Sequence, residues 1–203
     1  MAMGIAFLNL FLLLLIFLSV SGNTDSPYHH HHHHHSLVQV KAALLAFKKS
    51  VLVDWEDDVH VCNFTRVLCN QQHHRVIQID LSSSGLVAKM SPFLSNLTAL
   101  QRLNLYDNQF FGIIPPEFSS LGHLQVLILN DNNFTGPLSP SIFSNCSQLL
   151  VIDLSLNYIR GHIPMEIGNC PSLWALNLYN NEFTGQLPAP LTNTTMQNIE
   201  APA

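Results

Sequence analysis

Apolar residues recur along this chain with a period close to 24. Leu100, Leu103, Leu105, Asn108, Phe110, Gly112, Ile114 and Pro115 stand at fixed offsets. The same offsets hold at Leu124, Leu127, Leu129, Asn132, Phe134, Gly136 and Leu138, and again at Leu149, Ile152, Leu154, Asn157, Ile159, Gly161, Ile163 and Pro164. A further copy is Leu173, Leu176, Leu178, Asn181, Phe183, Gly185, Leu187 and Pro188, and a fainter one precedes them all at Val76, Ile79, Leu81, Ser84, Leu86 and Met90. Within each block the alternation of pairs such as Leu103 and Leu105 predicts one short strand with those side chains on one side. Upstream, Val40, Leu44, Phe47 and Val51 fall at helical spacing and predict a helix from about residue 37 to residue 52. Earlier still, residues 5–20 form an apolar run of 16, interrupted only by Asn9 and Ser19.

A period of this length is the signature of a solenoid. One strand per block stacks in parallel on the next, and the inward Leu and Ile columns make a continuous core that no block can bury alone. Asn108, Asn132, Asn157 and Asn181 follow the strand at the turn. An amide carries both donors and an acceptor, so an inward ladder of them can satisfy backbone groups that the turn leaves unpaired. Gly112, Gly136, Gly161 and Gly185 suit a tight path on the outer side. Pro115, Pro164 and Pro188, which have no N–H, fit an irregular stretch there. The helix at residues 37–52 would cover the exposed core of the first repeat. After Leu191 the pattern drifts into TNTTMQNIEAPA, where no capping element is legible.

A signal-like segment and five sequons favour an extracellular protein. The apolar run of residues 5–20, followed by Ser21 and Gly22, reads as a signal peptide over residues 1–22, although its leading residues lack Lys and Arg. Five Asn-x-Ser/Thr sequons begin at Asn63, Asn96, Asn133, Asn145 and Asn193 and fit a glycosylated secreted protein. Asn133 follows the inward Asn132 and is expected to point outward. His29–His35 is a run of histidines within a linker over residues 23–36, read as a tag or a natural low-complexity stretch rather than a metal site. In a secreted chain Cys62 and Cys69 read as a local disulfide, in preference to a zinc site completed by His73 and His74. Cys146 and Cys170 occupy the column of Leu97 and Leu121; they read as two buried free thiols, with a cross-repeat disulfide as the sharper alternative.

The pattern L-x-x-L-x-L-x-x-N-x-L-x-G-x-I-P is that of plant-type leucine-rich repeats. The succession ALLAFKKS, Trp55, Cys62-x6-Cys69 and RVIQIDLSSSGL resembles the N-terminal cap of plant leucine-rich repeat receptor-like kinases and receptor-like proteins, and SPFLSNLTALQRLNLYDNQFFGIIPPEFSSL is similar to their ectodomain repeats. Arg66 departs from that pattern, which usually has Gly there. The resemblance covers residues 37–195. It implies an α/β right-handed solenoid with a parallel sheet on its concave face, an N-terminal cap over residues 37–75, five repeats over 76–195 and a tail over 196–203. It also implies a peptide or protein ligand, with a co-receptor ectodomain as one such partner.

The outward strand positions form three columns, from which a binding face is expected at Arg102, Asn104, Tyr106, Ile128, Asn130, Asp153, Ser155, Trp174, Asn177 and Tyr179. Tyr, Trp and Arg are frequent binding anchors. The net charge of −5, with no Lys/Arg cluster, argues against nucleic acid. No nucleophile–base spacing, phosphate loop or kinase signature appears, so no catalytic residue, metal or cofactor is expected. No second apolar segment follows the repeats, so no membrane span is expected once the signal is removed. Two other readings compete with the binding module: an inhibitor of secreted hydrolases such as polygalacturonases, and a truncated receptor fragment without function of its own.

Overall fold

The computed structural model describes residues 41–42, 59–72, 74–192 and 198–200. The signal peptide, the histidine run, Trp55, His73, Asn193 and most of the expected cap helix lie outside the described residues; Lys41 and Ala42 are helical, and the Lys41 ammonium stands 6.0 Å over the Phe64 ring.

The repeats stack as the period requires. A seven-stranded sheet has the order β1 (Val67–Cys69), β2 (Val76–Asp80), β4 (Arg102–Asn104), β6 (Val126–Ile128), β8 (Val151–Asp153), β10 (Ala175–Asn177) and β12 (Asn198–Glu200). β1 runs antiparallel to β2, and every other pair is parallel. From β2 to β10 the register follows the repeat residue for residue: Ile79, Leu103, Leu127, Ile152 and Leu176 pair in succession. All five are at most 3% exposed, and burial of each contributes about 1.5–3 kcal/mol.

The Asn ladder forms as expected and its bonds run between repeats. Asn132 donates from Nδ2 to the Leu105, Leu129 and Asn130 carbonyls and accepts at Oδ1 from the Phe110 amide. Asn157 repeats this with Leu129, Leu154, Ser155 and Phe134, and Asn181 with Leu154, Leu178, Tyr179 and Ile159. Asn108 takes two amides, those of Ser84 and Leu86.

The outer path is more regular than the glycines and prolines imply. It holds a second sheet of five parallel strands, in the order β11 (Glu182–Thr184), β9 (Tyr158–His162), β7 (Asn133–Pro137), β5 (Gln109–Gly112) and β3 (Val87–Lys89). Here the register slips by two residues at each step. Phe111 pairs with Asn133 rather than with Thr135, its counterpart one repeat on, and Thr135 pairs with Tyr158 rather than Arg160. Each strand therefore slides about 6–7 Å along its neighbour relative to the repeat. The slide explains two of the glycines. Ile113 follows Gly112 and reaches forward over Gly136, where a Cβ would stand 2.7 Å from its Cγ2, and His162 covers Gly185 in the same way; Pro137 lies over Gly161 at an ordinary contact distance of 3.7 Å. Gly136 also sits at φ +77°, a conformation that L side chains rarely adopt. Behind this sheet Phe110 and Phe134 stack with ring centroids 6.2 Å apart.

Short 3-10 turns link the second sheet back to the first: η2 (Pro92–Asn96), η3 (Pro116–Ser120), η4 (Pro140–Phe143) and η5 (Met165–Asn169), preceded by η1 (Val61–Asn63) in the cap. Both cysteine pairs are bonded. Cys62–Cys69 agrees with the expectation, whereas Cys146–Cys170 corrects the reading of free thiols. The two residues are 24 apart in sequence, yet stacking brings their Cα atoms to 5.1 Å, well within disulfide reach. By chain-entropy arguments the long loop contributes about 3.5 kcal/mol and the short one about 2.5 kcal/mol.

The tail also departs from expectation. A helical turn, α1 (Ala189–Thr192), follows β11, and β12 then pairs in parallel with β10 so that Ile199 stands beside Leu176. The spacing Met196-x-x-Ile199 repeats that of Leu173-x-x-Leu176, a signal present in the sequence.

Candidate functional site

The three predicted columns line up on the solvent side of the seven-stranded sheet. Gln78, Arg102, Val126, Val151 and Ala175 are successive register partners, as are Asp80, Asn104, Ile128, Asp153 and Asn177. The third column lies just past the strand ends, and backbone bonds carry its register: Asp107 N–H to the Asn130 carbonyl, Asp131 N–H to Ser155, and Leu156 N–H to Tyr179. Tyr106 and Tyr179 are therefore three strand spacings apart, about 14 Å.

A second ladder runs along the middle column. The Asn104 Oδ1 accepts from the Tyr106 amide at 3.1 Å, and that of Asn177 from the Tyr179 amide at 3.0 Å. Asp80 and Asp153 accept in the same manner from the amides of Ser82 and Ser155, and also from their hydroxyls, at 2.7 and 2.6 Å. Ile128 is the break, since its side chain has no acceptor to offer Asn130. The Asn130 Oδ1 is the buried side-chain oxygen or nitrogen that has no hydrogen-bond partner among the described residues.

These bonds sort the predicted residues. Arg102, Tyr106, Trp174 and Tyr179 are exposed, with Tyr106 at 40%, Trp174 at 48% and Tyr179 at 58%. Ile128 and Asn130 are half-buried between the two tyrosines. Asn104, Asp153 and Asn177 spend one acceptor on the turn that follows them. Ser155 lies on the predicted column but is 5% exposed, because its hydroxyl folds back onto Asp153. It shapes the face without being available on it.

Asp80 anchors the N-terminal end of this face. Partial burial by itself would raise its carboxyl, but the hydroxyl and amide of Ser82, the Asn104 side chain and the Arg66 charge outweigh burial and hold it below the ordinary carboxylate value. Arg66 occupies the position where a Gly is usual, and takes the left-handed backbone such a Gly would take, at φ 67°. Its guanidinium offsets the strain by donating to the Ser82 carbonyl at 2.8 Å and to the Ser84 Oγ at 3.1 Å.

A groove of about 340 Å3 lies at the edge where the strand ends turn into the second sheet, lined by residues that include Asp131, Asn133, Leu156, Tyr158, Asn180 and Glu182. The column reading did not single it out. Its sequence signal is Leu156, which stands where the other repeats have Asp107, Asp131 and Asn180. All four take left-handed backbone, which Asp and Asn tolerate and Leu does not favour.

Leucine rich repeat family profiles match residues 99–121 and 123–183, and the leucine rich repeat N-terminal domain profile matches residues 36–70. The chain is a leucine-rich repeat protein. A putative receptor-like protein kinase of Arabidopsis thaliana is 43% identical to it over 84 residues, which are 38% of this chain and 8% of that kinase. The chain spans only 6–10% of the length of four receptor-like kinases that it matches. Among solved structures, the BIR2 ectodomain from Arabidopsis thaliana superimposes with a TM-score of 0.71 at 29% identity, covering 78% of this chain and 86% of that one. The BIR3–SERK2 complex gives 0.70 at 26% identity, with 79% and 90% covered. The HAESA ectodomain bound to an IDA peptide hormone gives 0.61 at 25% identity, with 82% and 33% covered. This leucine-rich repeat chain thus resembles the ectodomain part of plant receptor kinases, and its repeats hold the fold that those ectodomains share. No helix among the described residues is long and apolar enough to cross a membrane.

Proposed function

We propose that the chain is an extracellular recognition module that holds a peptide or a partner ectodomain across the exposed face of its seven-stranded sheet. The observation that carries the reading is the break at Ile128–Asn130. In the other strands from β2 to β10 the middle-column side chain is spent on its own turn, whereas here an apolar surface adjoins a carboxamide oxygen with no partner. A buried acceptor left unpaired is costly, and the half-buried Asn130 side chain, turned outward, would offer it to an N–H group of a ligand lying across the face. Tyr106 and Tyr179 flank the break and supply rigid contact area at low entropic cost. The similarity to HAESA with its peptide hormone, and to BIR3 with SERK2, supports both partner classes. Secretion follows from the signal-like segment and the sequons.

Crosslinking the secreted protein to isolated extracellular proteins and peptides tests the face. Tyr106→Ala combined with Tyr179→Ala is expected to lower the crosslinked yield roughly tenfold or more. An unchanged yield removes this face. Stoichiometric inhibition of a pectin-degrading enzyme would instead assign the chain to the hydrolase inhibitors.

A further inference from the structure

The sequons differ in what their asparagines are doing. Asn63 ends η1 inside the loop closed by Cys62 and Cys69. Asn96 is half-buried and takes part in local interactions. The Asn145 carboxamide lies over Gly122, and its sequon runs through Cys146, which is tied to Cys170. Among the four described sequon asparagines, Asn133 alone opens an extended strand. It is exposed, and its side-chain amide makes no hydrogen bond among the described residues. Alternation along β7 turns Asn133 and the sequon hydroxyl of Thr135 to the same side, with Phe134 fully buried between them.

The neighbours of this sequon are set by the slipped register. On one side is Phe111, already covered by the Lys89 ammonium at 5.9 Å. On the other side is Tyr158, the register partner of Thr135, 54% exposed. Leu156, 40% exposed, lies in the same groove, whose rim carries Asp131, Asn180 and Glu182. An aromatic ring with an aliphatic side chain beside it, ringed by amides and carboxylates, matches a pyranose. The sugar presents C–H groups on one face and hydroxyls around its edge.

We propose that Asn133 carries an N-linked glycan whose first sugars seat in this groove against Tyr158 and Leu156. The groove thereby becomes part of the protein's own surface rather than a ligand site. The proposal rests on the secretory reading given above. In the modification, the Asn133 Nδ2 bonds to the anomeric carbon of a lipid-pyrophosphate-linked oligosaccharide. The C1–O bond breaks, the lipid pyrophosphate leaves with the electron pair, and Nδ2 gives up one proton to a base. The acceptor is read from the unfolded chain, and the seat forms as the repeats stack.

The test is a double-mutant cycle on the full chain secreted from a eukaryotic host, with glycopeptide mapping and thermal unfolding. The Asn133 peptide is expected to be glycosylated. Asn133→Gln is expected to lower Tm by about 2–4 °C in the otherwise unchanged chain and to have no effect when Tyr158→Ala is present. In bacterially made, unglycosylated protein Asn133→Gln leaves Tm unchanged. A bare Asn133 in a chain whose other sequons are occupied overturns the proposal alone, as does an equal Tm loss with and without Tyr158. If no sequon is occupied in the secretory host, the secretory reading falls with it.

Discussion

The two sheets of this solenoid take one strand each from the same five repeats, yet they obey different rules. From β2 to β10 of the seven-stranded sheet every repeat position meets its own counterpart, so equivalent positions form straight columns and equivalent bonds form ladders. In the five-stranded sheet each strand meets its neighbour two residues out of step, so unlike residues meet: Phe111 beside Asn133, Tyr158 beside Thr135. Strict register makes a surface whose variation lies only in what each column holds. Slipped register makes grooves and forward-reaching contacts, and at Gly136 and Gly185 the arriving side chain of the preceding repeat leaves no room for a Cβ.

The strongest way to break the in-register sheet is to remove a rung of its buried ladder. Asn157→Ala strands the Phe134 amide in the interior and leaves the Leu129 carbonyl with the Asn132 amide alone. It is expected to cost about 2–4 kcal/mol in equilibrium urea unfolding, at 1–3 kcal/mol for the orphaned amide plus the lost local bonds. The slipped sheet is broken by filling a glycine. Gly136→Ala forces a Cβ into the Ile113 side chain at positive φ and is expected to cost about 2–3 kcal/mol. Adding Ile113→Ala should recover about half of that, because it relieves the contact and leaves the backbone strain. Equal stability of Gly136→Ala with and without Ile113→Ala would show that the overlap contributes nothing. The smallest effect has the opposite sign. In unglycosylated protein, Leu156→Asn supplies the residue type favoured in the left-handed turn and should stabilise the chain by about 0.5–1 kcal/mol, seen as a higher urea midpoint at unchanged slope.

The columns of the first sheet were readable because burial there depends on offset alone. Leu103, Leu127, Ile152 and Leu176 announce themselves by position, as do Asn108, Asn132, Asn157 and Asn181. The second sheet was not readable in that way. Its apolar alternation lasts only three to five residues per strand, as in Gln109–Gly112, and in two strands ends in Gly112 or Pro137, which taken singly read as turn residues. Its pairing is not the pairing of the repeat, so aligning the blocks gives the wrong neighbours. The Cys146–Cys170 bond was visible as a shared column but depended on a stacking distance that a sequence does not state. At the candidate face the tyrosines and Trp174 were found by type and periodicity. The burial of Ser155 was missed because it follows from one hydroxyl turning to Asp153, and the unpartnered oxygen of Asn130 because neither residue type nor offset carries it.

The Cys146–Cys170 link also bears on how the array comes apart. In a linear stack each repeat is held only by its neighbours, so opening behaves as a zipper that starts at an end and runs inward one interface at a time. A covalent tie across one interface is a stop in that zipper. Repeats beyond Cys170 can peel away from the end, but separation cannot pass the clamped pair, and the two repeats that share it open as one cooperative unit. Fraying at the C-terminal side therefore ends short of Ile128, Asn130 and Tyr106, which keep their mutual geometry when the last repeat does not.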